Sequence, residues 1–361
     1  MKIKSVEVVP LNIPLKEPFI IALGKCDVAK NVLIKIHLED GTIGYGEVSS
    51  SGVITGDVQS TVIDVVKYLT PVLAGESIEN YRYLIKKLRS IIKFHPGAFA
   101  GIENALLDAY TQYIGIPLYK FLGGMRDEIE SDITISITTP EKAAQTAQEY
   151  SKKGFKVLKI KVGKDFKEDF ERVMAVSEAV DCEIRIDANQ GYNPKEAVKF
   201  INSVWDAGVN VTLFEQPVHC QNIKGLKYVT DNSPVPVAAD ETVFTATDAF
   251  NIARERAVDV INIKLAKCGG VLEALDIIAV AKASGLDLMI GCMLESNVGL
   301  SPSVHLACGT GEFSYIDLDS HVFLKELPLS GGFEVDGQKL IVKNIKEGIG
   351  IKESTQSSIK P

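Results

Sequence analysis

This sequence is short of the features that mark several large functional classes. Its six cysteines, Cys26, Cys182, Cys220, Cys268, Cys292 and Cys308, are scattered without a close pair, which suggests neither a thiolate zinc site nor a disulfide framework. Reduced thiols in a cytoplasmic protein are the plain reading. None of the five histidines, His37, His95, His219, His305 and His321, stands at metal-ligand spacing from another, so we read them as packing or surface residues. Long basic runs are missing and the formal net charge is -8. Such a chain is not built for nucleic acid, whose phosphates are met by clustered Lys and Arg. No stretch is long and apolar enough to span a bilayer, and none reads as a membrane anchor. The opening MKIKSVEVVPLNIPL alternates charged and apolar residues, as a strand does and a secretion signal does not.

What is present is ample apolar material. With 361 residues and 46% of them hydrophobic, the chain can fill a large barrel, or a barrel with a smaller second domain. Residues up to about 75 read as strands joined by loops: KIKSVEVVPL, NVLIKIHLED with a turn at Asp40-Gly41, and GYGEV. From Ser77 to about Leu122 apolar residues recur three and four apart, as in YRYLIKKLRSII and ENALLDAYTQYIG, which predicts helices. We therefore expect an α+β capping domain over 1–125, joined by the C-terminal segment 325–361, whose tail GGFEVDGQKLIVKN reads as a hairpin returning to it. The last residues, KESTQSSIKP, read as frayed.

Between these parts, over 126–324, a short apolar strand followed by a helix recurs about every 24 to 28 residues. The strands are ITISIT, VLKIKV, EIRIDA, VTLFEQ, VPVAADE, DVINIKL, LDLMIGC and SYIDLD. Eight strands in strict alternation with helices predict an α/β fold, a parallel (β/α)8-type TIM barrel, rather than an open sheet.

In such a barrel the C-terminal strand ends form one rim where distant residues converge. Charge collects there: Lys159 and Lys161 on the second strand, Asp187 on the third, Glu215 on the fourth, Asp240 and Glu241 on the fifth, Lys264 on the sixth, Asp317 and Asp319 on the eighth. Lys159 and Lys161 are two apart and share a face, while Leu158, Ile160 and Val162 take the other. Buried charges are costly unless paired or bound to a metal. Asp187, Glu215 and Asp240, from three consecutive strands with no His or Cys nearby, make an all-oxygen set suited to Mg2+. The plainer alternative pairs these acids with Arg185, Lys161 and Lys264. If a metal takes the acids, Lys161 and Lys264 are free to work from nearly opposite strands, since neighbouring cations and burial disfavour their charged forms. One would take a proton next to a carboxylate and the other would return it to the opposite face, with the planar enediolate held by Mg2+ and Lys159.

With those residues in view the chain resembles the enolase superfamily, in which a Lys base acts together with Mg2+. KIKVG, RIDANQGY, FEQP, ADET and NIKLAKCGG at strands two to six look like the muconate-lactonising subgroup, over almost the whole chain. The resemblance implies the modified (β/α)7β barrel of that group, Asp187, Glu215 and Asp240 as ligands of one Mg2+ per subunit, and Lys161 with Lys264 as the acid/base pair. Asp317-Leu318-Asp319 resembles the Asp-x-Asp of dipeptide epimerases, where two carboxylates hold the ammonium group of the dipeptide. Two aspartates on one strand face make a negative pocket that an anionic aromatic substrate would avoid. Thr134 and the backbone around Cys292 are expected to line it.

The resemblance implies an isomerase acting on small dipeptides, first of all L-Ala-L-Glu in murein peptide metabolism. In members of that specificity an Arg of the first capping-domain loop pairs with the Glu side chain; here the stretch reads ALGKCD, with Gly24 at that place. Lys25 could substitute as a less directional partner, and a broader or more apolar second residue is the alternative. Other activities of the subgroup stay open: N-acylamino acid racemase, o-succinylbenzoate synthase and cycloisomerase. A Schiff-base aldolase using either lysine, and a non-catalytic dipeptide-binding protein, are the readings from other classes. Such barrels commonly form homo-oligomers, although no segment marks an interface. Gly269-Gly270 could cradle a phosphate or make a tight turn. GVITGDV near residue 55 reads equally as a flap over the site or as an ordinary loop.

Overall fold

Apolar residues at alternate positions build the N-terminal sheet, in which β1 (Ile3–Ile21), β2 (Gly24–Leu38) and β3 (Ile43–Ser49) pair antiparallel in that order. The structure is a computed structural model and describes residues 1–353. The end expected to fray therefore lies, from residue 354 onwards, outside the described residues. Three helices cover the sheet: α1 (Gln59–Leu69), α2 (Tyr81–Ile91) and α3 (Pro96–Tyr113). The first of these corrects the sequence reading, which kept strands up to about residue 75. Val62, Val65, Val66 and Leu69 are buried at helical spacing, but a segment rich in Val, Ile and Thr carries β propensity that masks the period. The glycines of GYGEV have a packing reason: a Cβ on Gly46 would stand 2.0 Å from the Gly101 carbonyl oxygen, and one on Gly44 2.2 Å from that of Ala105. Sheet and α3 thus meet backbone to backbone, which only glycine permits.

A short α4 (Leu118–Phe121) and β4 (Glu128–Glu130) lead into the barrel. It then runs β5 (Ile133–Ile135), α5 (Pro140–Lys152), β6 (Val157–Lys161), α6 (Phe166–Ala179), β7 (Glu183–Asp187), α7 (Pro194–Asp206), β8 (Val211–Glu215) and α8 (Ile223–Asn232). The second half is β9 (Val237–Ala239), α9 (Ala246–Glu255), β10 (Val260–Ile263), the one-turn α10 (Leu265–Cys268), α11 (Val271–Ser284), β11 (Asp287–Gly291), α12 (Asn297–Thr310) and β12 (Tyr315–Asp317). The strands lie in chain order within one parallel sheet. Where the first meets the eighth, Asp132 N donates to the Ile316 carbonyl at 3.0 Å and Leu318 N to Ser131 Oγ at 2.8 Å. The eighth strand is followed by a 3-10 turn at Ser320–Val322 instead of a helix, so the barrel has the expected (β/α)7β form.

Local signals agree with this alternation. Thr139, Asp165 and Asn193 cap α5, α6 and α7 with side-chain oxygens, and Asn193 forms a capping box with Glu196. Each such cap contributes about 1 kcal/mol. Inside the barrel, Leu213, Ala238, Val260 and Met289 pack into an apolar plug beside Tyr315. The strand period of two then decides what lies above it. Two residues further on along the same strands come Glu215, Asp240, Asn262, Gly291 and Asp317, so a charged layer sits directly on an apolar one.

Two buried carboxylates of the N-terminal unit reach into the barrel. Glu47 accepts hydrogen bonds from Ser296 N at 2.9 Å and Gly299 N at 3.1 Å, at the start of α12. Glu103 accepts from Leu272 N at 2.6 Å at the start of α11. Both use the unpaired N–H groups and positive dipole end of a helix. After the barrel, β13 (Ser330–Gly331) pairs with β16 (Ile351–Lys352), and the hairpin of β14 (Glu334–Asp336) and β15 (Lys339–Ile341) pairs with β4. The hairpin itself therefore stays at the barrel. It is the following stretch that reaches the N-terminal unit, where Leu118 N donates to the Gly348 carbonyl at 2.8 Å and Ile349 N to Asp108 Oδ1 at 2.8 Å.

Candidate active site

The charged layer is buried and ordered by ion pairs. Lys161, at the end of β6, pairs with Asp187 at the end of β7. Just beyond β10, the Lys264 ammonium lies 2.7 Å from Asp240 Oδ2. Lys267 reaches the other oxygen of Asp240 at 2.5 Å from below. Glu215 Oε1 accepts from Asn262 Nδ2 at 2.8 Å, and Asp187 Oδ1 from Asn189 N at 2.9 Å. Arg185 does not join these acids: its Nη1 is 2.8 Å from Asp132 Oδ2, and the guanidinium lies over the Tyr315 ring.

Asp187, Glu215 and Asp240 bring oxygens within 4.8 Å of one another. Glu215 Oε2 and both oxygens of Asp240 find no aligned hydrogen-bond donor, although lysine ammonium groups stand beside them as ion partners. Burial would raise all three carboxyls, yet Lys161 and Lys159 hold Asp187 down at about 2, and Lys264 and Lys267 hold Asp240 far below the usual carboxylate range. Glu215 is pushed up to about 7 by burial and by Asp187. Lys264, which burial alone would lower, is raised by Asp240. Three buried oxygen donors that repel one another and lack full hydrogen bonding form a set that a hard divalent cation fits.

A second acidic triad lies across Lys159. Asp132, Asp317 and Asp319 also bring oxygens within 4.8 Å of one another. Asp317 Oδ2 is 2.7 Å from Lys159, and Asp319 Oδ2 accepts from Thr134 N at 2.6 Å. Cys292 Sγ is 3.8 Å from the other oxygen of Asp319. Burial and then the Asp317 charge push Asp319 up to about 7, and the same two causes raise Asp132 well above its ordinary value. For Asp317 burial works upward as well, but Lys159 prevails and lowers it. Of the three, Asp319 is therefore the one that lacks a cation of its own.

Lys161 and Lys264 beside the first triad, and Asp317 and Asp319 of the second, line the floor of one cavity of about 400 Å³ together with Thr134, Asn189 and Cys292. Two expected members are placed differently. Lys159 does not line the cavity, because Glu215 at 2.6 Å, Asp317 at 2.7 Å and Asp187 at 3.1 Å surround its ammonium and leave it no hydrogen for a substrate oxygen. Lys25 does line the cavity, but from the β1–β2 hairpin above the floor, half-exposed and with Asp27 at 3.1 Å. The loop around Ile54 does lie over the cavity, held by a hydrogen bond of 2.9 Å between His95 Nδ1 and Asp57 Oδ1. Gly269 and Gly270 make a tight turn, and the helix start behind them is already taken by Glu103.

Sequence reasoning missed Asp132, Lys267 and Asn262. Asn262 carried a signal, since it stands two before Lys264 and shares its face. Lys267 could have been found at one helical turn from Lys264. Asp132 carried none, because its role comes from contacts with Arg185 and the eighth strand.

Residues 3–123 match the N-terminal domain of mandelate racemase / muconate lactonizing enzyme, and residues 142–356 match the enolase C-terminal domain-like family. Among curated relatives, an L-Ala-D/L-Glu epimerase of Clostridium acetobutylicum is 40% identical over 355 residues, covering 98% of this chain and 99% of that protein. The substrate-liganded L-Ala-D/L-Glu epimerase of Bacillus subtilis superimposes with a TM-score of 0.95 at 38% identity, covering 98% of this chain and 99% of that one. A dipeptide epimerase of Enterococcus faecalis, solved with Mg and the dipeptide L-Leu-L-Tyr, gives a TM-score of 0.94 at 38% identity, covering 98% and 100%.

Proposed function

We propose that this chain, which belongs to the mandelate racemase / muconate lactonizing enzyme family, is a magnesium-dependent dipeptide epimerase that inverts the α-carbon of the C-terminal residue. One observation carries the reading: two lysines and two aspartates from the eighth strand line a single cavity beside an all-oxygen triad. β6 and β10 are four places apart in a ring of eight, so Lys161 and Lys264 address a bound α-carbon from opposite sides. One lysine, neutral at that moment, takes the α-proton, and the ammonium of the other delivers a proton to the opposite face. Asp319 and Asp317 hold the ammonium group of the dipeptide and so set which carbon lies between the lysines.

Asp187, Glu215 and Asp240 would hold one Mg2+ per subunit, which when bound supplies positive charge against the charge that develops on the substrate carboxylate. Lys159 and Arg185 act indirectly, fixing the aspartates by buried ion pairs. L-Ala-L-Glu, a murein-type dipeptide, is the reference substrate, and six free cysteines suit a cytoplasmic setting. The test is incubation of L,L-dipeptides with the protein and Mg2+ in D2O, followed by NMR and mass spectrometry. Deuterium at the C-terminal α-carbon together with both epimers is the expected result. Exchange of N-acylamino acids with none in any dipeptide would keep the lysines and discard the role given to Asp317 and Asp319.

A further inference from the structure

The roof of the cavity has a chemistry unlike its floor. Ile21 and Leu23 come from the β1–β2 turn, Val53 and Ile54 from the loop after β3, and Met293 and Leu294 from the turn after β11. Val28, Val53 and Val58, which also line the cavity, are exposed by 37%, 65% and 48%. Large apolar groups left in water around one opening mark a surface suited to an apolar ligand.

The cations in reach do not offset this. Lys161 and Lys264 belong to the floor and to the chemistry. Lys25 is 53% exposed and already faces Asp27, and Lys30 is exposed at the rim. An ammonium in water contributes little to holding a carboxylate. Gly24, beside Lys25, has open space around it and offers no side chain. Nor does the roof suit a cationic ligand: Asp57 is buried, with one oxygen hydrogen-bonded to His95, and Asp27 faces Lys25.

The orientation of the substrate sends one group toward that roof. In the reading above, the α-carbon turns its hydrogen to a lysine, its carboxylate to the acidic triad and its amide toward Asp319. A tetrahedral centre has one direction left, and it points to the hairpin and the loop around Ile54. A Glu side chain placed there would lose hydration and gain no buried counter-charge, whereas a Leu or Phe side chain would cover apolar surface.

We propose, resting on the epimerase reading, that the preferred substrates are dipeptides whose C-terminal residue bears an uncharged apolar side chain, with L-Ala-L-Glu turned over less well. The experiment is a competition of L-Ala-L-Leu, L-Ala-L-Phe, L-Ala-L-Glu and L-Ala-L-Lys with Mg2+ in D2O, read as α-deuteration by mass spectrometry. Leu and Phe should exceed Glu and Lys in kcat/KM by about tenfold or more. Glu or Lys equal to or ahead of Leu and Phe would overturn the specificity while leaving the epimerase. Absence of exchange in every dipeptide would overturn both. Leu23→Arg supplies a cation in the roof and should move the Glu to Leu ratio about tenfold toward Glu; an unchanged ratio would show that the side chain lies elsewhere.

Discussion

Two buried acidic triads share one barrel, and they are stabilised in different ways. Asp187 and Asp240 pair with Lys161 and Lys264, whose ammonium groups also border the cavity, while the enclosed Lys159 and Lys267 add fixed charge beside Glu215, Asp187 and Asp240. Asp132 and Asp317 face Arg185 and the same Lys159, both enclosed away from the cavity. In the proposed reaction the charges of Lys161 and Lys264 would change, and a divalent cation at the first triad would keep the site intact while they did. The second is neutralised permanently except at Asp319, and so offers about one charge's worth of attraction to a substrate ammonium. The two clusters of acids thus differ in whether any of their cations border the cavity.

The contrast is broken most severely at the first triad. Lys161→Ala and Asp240→Asn should each lower kcat by about a thousandfold, the scale of a lost acid/base group or metal ligand. Asp240→Asn should also lose Mg2+ in calorimetric titration, while Lys161→Ala keeps it. Retained Mg2+ binding in the aspartate variant would remove Asp240 from the ligand set.

These residues were legible from sequence because strand periodicity alone turns Lys159, Lys161, Asp187, Glu215 and Asp240 inward. The eight strands were legible for the same reason, each being a short apolar run between helical segments. What could not be read were properties of contacts between distant residues. Lys159 looks like Lys161 in the sequence, yet one additional step down the strand encloses it among three carboxylates. Lys25 looks free until the hairpin sets Asp27 beside it. Asp132, outside any strand, becomes half of an ion pair with Arg185 only when the first and eighth strands meet.

The fixed cations of the second triad give the next effect, on stability rather than rate. Arg185→Met leaves Asp132 buried without its partner and should destabilise the fold by about 3 kcal/mol in chemical denaturation. Adding Asp132→Asn should restore most of that loss, since the cost is an uncompensated charge. Equal destabilisation in the single and double variants would mean that Arg185 acts by packing on Tyr315 instead. Asp319→Asn should be milder. A KM for dipeptides raised by about tenfold, with Mg2+ affinity unchanged, is the signature of one lost ammonium contact; a matching loss of Mg2+ affinity would merge the two triads into one functional unit.

The smallest effect, counted per pH unit, separates the triads by pH. Asp319 titrates near 7 in the fold because burial and the Asp317 charge disfavour its ionised form, against about 3.9 in an unfolded chain. A carboxyl raised on folding contributes stability that is whole below the unfolded value and is lost as pH rises through the folded one. Wild-type protein should therefore lose stability relative to Asp319→Asn between about pH 4 and 7, on the order of 1 kcal/mol per pH unit at most. Substrate binding runs the opposite way, because an ammonium group is held by the carboxylate and not by the acid. Below about pH 7 the wild-type kcat/KM for a dipeptide should fall and level off about tenfold lower, the loss assigned above to one missing ammonium contact, and this fall should be absent in Asp319→Asn. Guanidinium melts and kcat/KM profiles of the two proteins over the same pH range check both halves. If both proteins give parallel profiles, Asp319 does not titrate in this range, and its charge must be balanced by a cation as fixed as those of Asp132 and Asp317.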